Sequence, residues 1–324
     1  MLNSNLISEK VSYQIWILKI IAIFLVFFAH MPVSDITLAL SPNYTLMNRL
    51  FSLLGMLGVP MFFFLSGFLF KPGQIKKRAK SLLIPLIIWG AWSYLLHCFK
   101  AGLASFSITD MGLWIIGSNS YLYFVTVLFV IILLYNLCDN DLPWILLGVT
   151  AVGLYQYHIV SYITPLTPYL NPLNFIAYFA FGHIVRRNNL WHKLESWHIA
   201  GPAFLLILIS VCLTDLYVHV WYFNLWSMVI CVSFICTLLA LTSHFIRRNE
   251  TFIRFGECTF VIYLCHMPIV TTLNQIVRNI AVGPLEIIKI IIAFAAISIL
   301  VVIGDIILTK LRLCRLKAFL GYRN

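Results

Sequence analysis

Two side chains near the start of the chain have types and spacing suited to chemistry: Lys19 and His30, set in an otherwise apolar run. On a helix their eleven-residue spacing is three turns plus about 20°, so they share one face and stand roughly 16 Å apart along the axis. An imidazole beside a cation on one stripe suits general-base work, or a proton or substrate pathway. Other ionisable groups inside apolar runs are His97, His183, Glu257, His266, Lys289 and Asp305. Each also has a plain reading. Lys19 snorkels to headgroups and His30 caps an interfacial helix end; His97, His183 and His219 are satisfied polar packing groups; Ser66 and Gly67 are small residues that let helices approach. His266 with Tyr263 stands open between structural hydrogen bonding and ligand binding. Asp305 and Lys289 fall on one expected helix too far apart to pair, so the partner of Asp305 is expected from another span.

These residues need elements to hold them, and the composition says which kind. The chain has 324 residues, of which 61% are hydrophobic and 10% charged, with mean hydropathy +0.95. That leaves too little polar surface to clothe a water-soluble globule of this size. Apolar runs of roughly 20 residues, enough to cross about 30 Å of hydrocarbon as helix, recur along almost the whole sequence. Spans are read at 15–31, 50–70, 82–99, 121–137, 143–160, 172–185, 199–218, 225–246, 257–277 and 285–309. The expectation is an all-α, polytopic transmembrane bundle of about ten spans forming a single domain over residues 1–324, with a short basic cytoplasmic tail at 310–324. The run from Ile15 to Ala29 has no small-x-small cleavage site after it and reads as a retained first helix. The chain ends soon after its last span, so all chemistry is expected to fit in the bundle and its short loops.

The net charge of +11 is a matter of topology and not of nucleic acid, because the basic residues fall in short clusters between apolar runs. Clusters such as Lys76, Lys77, Arg78 and Lys80, or Arg247 and Arg248, fall on one side. The other side holds only Arg49, Lys100 and Arg278. This asymmetry predicts both termini in the cytoplasm, N-in/C-in. The eight cysteines show no CxxC pair or metal spacing, so buried thiols are expected, with no disulfide framework and no metal. Aromatic residues such as Trp114, Tyr121, Tyr123 and Trp191 read as interfacial anchors, and the segment from about 100 to 120 reads as a lid or re-entrant connection.

The motifs around these residues resemble integral-membrane acyltransferase family three, the bacterial O-acyltransferases of surface glycans. The family's first helix carries Arg-x10-His, matched here from Lys19 to His30 with lysine in place of arginine. Gly58-Val59-Pro60-Met61-Phe62-Phe63-Phe64-Leu65-Ser66-Gly67-Phe68-Leu69 is similar to its FFxLSGF signature. Arg78 keeps the first position of an Arg-x-x-Arg stretch, with Ser81 at the second and Pro85 leading the next helix. Phe255 to Pro268, which includes Glu257, Tyr263 and His266, is similar to its IYLxHxP segment. Tyr121-Leu122-Tyr123-Phe124 stands where the family has His-Leu-Trp-Phe, so that histidine is missing.

The resemblance implies a bacterial inner-membrane enzyme that moves an acyl group, acetyl above all, from acyl-CoA to a hydroxyl of a cell-envelope carbohydrate such as an O-antigen sugar. It implies His30 as base or covalent relay, and Lys19 as the group that positions the thioester or offsets developing charge. Lys76, Lys77, Arg78 and Lys80 would attract the phosphates of acetyl-CoA. Ser66, Glu257, Tyr263 and His266 are further candidates. Expected partners are acyl-CoA, a lipid-linked or polymeric glycan and membrane lipids; monomer and homodimer both stay open. A glycolipid or small-solute transporter or flippase, with Lys19, His30 and Asp305 lining its pathway, is the alternative. The H-x4-D string from His30 to Asp35 resembles a glycerol-lipid acyltransferase motif but is read as chance, because Pro32 interrupts the helix.

Overall fold

The computed structural model describes residues 8–31, 33–40, 43–102, 106–156, 168–213, 223–245, 247–277 and 283–322. Arg278 and His219 lie outside them. Among the described residues the chain is helical, without strands: α1 (Glu9–His30), α2 (Asp35–Leu40), α3 (Asn43–Phe68), α4 (Ile75–Ala101), α5 (Ile108–Ile115), α6 (Tyr123–Leu137), α7 (Asp141–Gln156), α8 (Leu173–Arg187), α9 (Trp191–Leu194), α10 (Trp197–Leu213), α11 (Leu225–Phe245), α12 (Glu250–Val277), α13 (Leu285–Lys310) and α14 (Cys314–Phe319). Six helices, α1, α3, α4, α11, α12 and α13, are long and apolar enough to cross a bilayer. They match six of the expected spans. Segments of α6 and α10 are apolar but shorter, and the remaining expected spans coincide with α7 and α8, which run 16 and 15 residues.

Why α1 lies at the centre follows from its composition. It is apolar nearly all round, so it has no face to give to water, and Leu18, Ala22, Ile23 and Phe27 are fully buried. Its first turn is capped by Ser8, whose Oγ accepts from the Val11 amide at 3.3 Å. It packs against α3, α11 and α12. The approach to α3 is close: a Cβ on Gly55 would stand 2.5 Å from the Ala29 nitrogen, and one on Gly58 2.6 Å from the Ala22 oxygen. Where α3 meets α8 the contact is tighter still. A Cβ on Gly67 would lie 1.9 Å from the Phe179 carbonyl oxygen, and one on Gly182 the same distance from that of Phe64. Small residues thus set the spacing of the core, as expected for Gly67. By contrast α13 is peripheral, with Ile288, Ile292, Ile299, Leu300 and Ile303 exposed, a face fit for lipid.

At the basic end, α1 is tied to α9. Trp191 Nε1 donates to Gln14 Oε1 at 3.0 Å, and Lys10 Nζ lies 3.4 Å from Glu195 Oε2. Burial alone would raise the Glu195 carboxyl, but the hydrogen bond with His192 and the charge of Lys10 hold it below the usual carboxylate range. His183 is a satisfied packing group, with Nδ1 2.8 Å from Asp141 Oδ1, which also accepts from Tyr135 at 3.2 Å.

The expectation for Asp305 needs correcting. Its partner comes not from another span but from the segment after the last one: the chain turns back at Arg312, and Lys317 Nζ stands 2.8 Å from Asp305 Oδ1. The hook is fastened further by Trp89 Nε1 donating to the Leu320 carbonyl and Tyr322 Oη to that of Val301, each at 3.0 Å. Lys289 instead joins Glu286 at 2.6 Å, one turn away. Of the 100–120 connection, the part from residue 106 on forms a wall: α5 lies on α4, with Trp114 Nε1 donating to Ser93 Oγ at 2.9 Å.

Candidate active site

The two ends of the α1 stripe face two different cavities. Toward the basic end lies one of about 790 Å³, lined by Lys19, Ser66, Lys77, Arg78, Lys80, Glu257 and Tyr263. Lys19 is buried, with Nζ 3.9 Å from the centroid of the Trp16 ring. The cations Lys77, Arg78 and Lys80 reach the cavity because the first turns of α4 carry them. Arg78 is also structural, since its Nη2 donates to the Leu69 carbonyl at 2.8 Å and braces the end of α3. Lys76 is exposed and not part of the lining. Cations facing one carboxylate, Glu257, give this cavity a positive balance suited to a polyanion. Its wall is completed by Ala318, Phe319, Gly321 and Tyr322 of the returning C-terminal hook.

The second cavity, about 880 Å³, opens at the other end of α1 and contains His30. Its walls are α4, carrying Ser93, His97 and Lys100; the end of α5 and the following turn, with Trp114, Ser118, Asn119 and Tyr121; and α12, with Thr271, Thr272 and Gln275. The His97 ring lies against that of Trp114, centroids 4.8 Å apart and planes inclined by 31°. The turn needs Gly117: its φ is +89°, and a Cβ there would fall 2.2 Å from the Tyr123 nitrogen. Asn274 Nδ2 donates to the His30 carbonyl at 3.2 Å, which fixes the last turn of α1 against α12.

Between the cavities stands a partition of rings. Tyr121 Oη donates to the Leu264 carbonyl at 2.6 Å, and Tyr263 Oη donates to the Tyr121 carbonyl, so the turn before α6 and the helix α12 pin one another. His266 sits in this partition, fully buried, with ring centroids 5.0 Å from Tyr121, 5.6 Å from Tyr263, 5.7 Å from Phe27 and 5.1 Å from His30. Its Nδ1 lies 2.6 Å from the Tyr263 carbonyl. A carbonyl only accepts, so Nδ1 carries the proton and Nε2 keeps its lone pair. That Nε2 has no partner among the described residues. A buried base with an unmatched lone pair beside a second imidazole costs stability unless something is to be bound there, which makes it a functional candidate.

The structure therefore groups Lys19, Lys77, Arg78, Lys80, Ser66, Glu257 and Tyr263 at one cavity, places His30 at the other, and sets His266 between them. Asp35 opens α2 and stands exposed, separated from α1 by a break in the helix at Met31. Three groups have places that the sequence does not announce: Tyr121, expected as an interfacial anchor, is buried in the partition; His97, expected as a packing group, lines the second cavity, as does Lys100. A signal existed, since Ser93, His97 and Lys100 fall at i, i+4 and i+7, one face of a helix.

Compared with known proteins, residues 12–309 match the family model described as an acyltransferase domain, acyltransferase family three. No curated protein and no solved structure matches the chain.

Proposed function

The chain belongs to this acyltransferase family, and on that premise we propose that it is an O-acyltransferase moving an acyl group, acetyl in the simplest case, from acyl-CoA to a hydroxyl of a cell-envelope carbohydrate. The observation that carries the reading is the pair of cavities at opposite ends of α1, with the imidazoles of His30 and His266 meeting at the wall between them. In this reading the chain crosses the bacterial inner membrane about ten times with both ends inside. The basic cavity then opens to the cytoplasm and takes the donor, and the other opens outward and takes the acceptor.

The chemistry follows from distance. Coenzyme A presents phosphates, which Lys77, Arg78 and Lys80 receive as charges; its flexible arm runs along α1 past Lys19 toward the partition. Because Lys19 and His30 are roughly 16 Å apart, Lys19 is too far from a carbon at His30 to offset charge there, and its role is to position the donor. His30 accepts the proton of the acceptor hydroxyl while that oxygen attacks the thioester carbon. The C–O bond forms, the C–S bond breaks, and the imidazolium returns its proton to the departing sulfur. His266 Nε2 supports the imidazolium through a rotation of the His30 ring, in the way a third group orients a catalytic base. Contacts of this kind tighten only when substrate is bound.

The test is incubation of the protein in lipid nanodiscs with acetyl-CoA labelled on the acetyl group. Label should move to a glycoside acceptor in wild type and not in H30A, with free coenzyme A released in step. Movement of a glycolipid across vesicles without cleavage of any thioester would establish the transporter alternative instead.

A further inference from the structure

The cavity that holds His30 is unlike the basic one in a specific respect: neither Asp nor Glu lines it. It does contain a cation. Lys100, on the last turn of α4, turns its Nζ to Thr272 Oγ1 of α12 at 3.1 Å. No carboxylate among the described residues lies within ion-pair distance of it. Five other cations do face a carboxylate: Lys10 with Glu195, Arg187 with Asp141, Arg248 with Glu9, Lys289 with Glu286 and Lys317 with Asp305. Nor does topology account for Lys100. Lysines and arginines gather at the opposite end of the bundle, and a basic residue at this end runs against that bias. His97, one turn earlier on the same face, adds a second nitrogen donor beside the rings of Trp114 and Tyr123, and both His97 and Lys100 are exposed and open to an incoming ligand.

We propose that the acceptor is a negatively charged sugar, a carboxylate- or phosphate-bearing one, whose anionic group is received by Lys100 while its hydroxyl faces His30. This rests on the acyl-transfer reading for the role of the cavity, but the binding it requires is independent of any turnover. A charge-assisted hydrogen bond distinguishes a charged from a neutral sugar by about tenfold.

The experiment uses the full chain in nanodiscs of phosphatidylcholine, with three probes of one alkyl length: the β-glucoside, its 6-phosphate and the β-glucuronide. Binding is measured by calorimetry without donor, and acetyl transfer separately with acetyl-CoA. At least one anionic probe should bind about tenfold tighter than the glucoside. K100Q should erase that ratio and K100R restore most of it, and the stronger anionic probe identifies the group. Equal affinity for the three probes, no binding of either anionic probe, or an unchanged ratio in K100Q overturns the proposal. So does loss of the ratio in phosphatidylglycerol discs together with a K100Q-sensitive lipid affinity, which would assign Lys100 to a headgroup. Should the ratio hold while no acetyl leaves acetyl-CoA, the enzyme reading fails and the anion site stands.

Discussion

Replacing His266 with phenylalanine tests the imidazole pair directly. The phenyl ring keeps the contacts with Phe27 and Tyr121, at 5.7 and 5.0 Å between centroids, while removing both ring nitrogens. The Tyr263 carbonyl loses one donor but stays within the helical hydrogen-bond ladder of α12, so the fold is not left with an orphan acceptor. What disappears is the unpartnered lone pair on Nε2, in a ring whose centroid lies 5.1 Å from that of His30. A hydrogen bond to a charged group contributes about 1.5–3 kcal/mol, so kcat for acetyl transfer should fall about 10- to 150-fold. H30A removes the base itself and should cost roughly 10²- to 10⁴-fold. Because the two act as one unit, H30A/H266F should be no slower than H30A alone. Transfer of labelled acetyl to a glycoside gives the rates, and acetyl-CoA affinity, measured in parallel, should stay level because His266 does not line the basic cavity. An H266F enzyme within twofold of wild type, or a double variant whose loss is the product of the single ones, would refute the pairing.

G67A should weaken the bundle by about 3 kcal/mol or more, at the top of the range for overpacking, because its Cβ would meet the Phe179 carbonyl at 1.9 Å; a thermal melt in detergent reads this, and an unshifted midpoint would mean α3 and α8 are not in contact. Lys317 and Asp305 have side chains only 13% and 12% exposed, so K317A or D305N alone should cost about 3–5 kcal/mol and weaken acetyl-CoA binding by loosening the hook, with the double variant costing less than the sum. E195Q should lower the melting midpoint slightly at neutral pH, by under about 1 kcal/mol since Lys10 is half exposed. The Glu195 carboxyl titrates below its unfolded range, so its contribution is complete above that range and fades as pH falls through the native value. Wild type and E195Q should therefore converge in acid, and a gap that widens there would contradict the assignment.

The helical class, the central role of the first helix and the common face of Lys19 and His30 were legible from periodicity and spacing, because those are properties of one segment. That the two residues open onto separate cavities was not, since the division depends on Tyr121 and Tyr263 joining segments more than a hundred residues apart. Interfacial aromatic residues and buried ring walls look alike in a sequence: Tyr121 has the composition of an anchor and the burial of a core residue. Lys76 through Lys80 were legible as a basic cluster, but only helix phase decides that Lys77, Arg78 and Lys80 reach the cavity and Lys76 does not. The partner of Asp305 was hidden because the chain reverses direction after α13, and no local pattern announces which residue of a short basic stretch will fold back.

The ring wall between the cavities bears on energetics outside the reaction. If each chamber is wetted from its own side of an energised membrane, the whole voltage drops across the few ångströms held by Phe27, Tyr121, Tyr263 and His266. Two neighbouring imidazoles are the makings of a proton wire, yet Nδ1 of His266 is committed to a backbone carbonyl and offers no onward path. On the acyl-transfer reading proposed above, a chemical group would pass between two compartments across an electrical insulator, and a substitution that lets water through this layer would be felt first as a leak of the proton gradient.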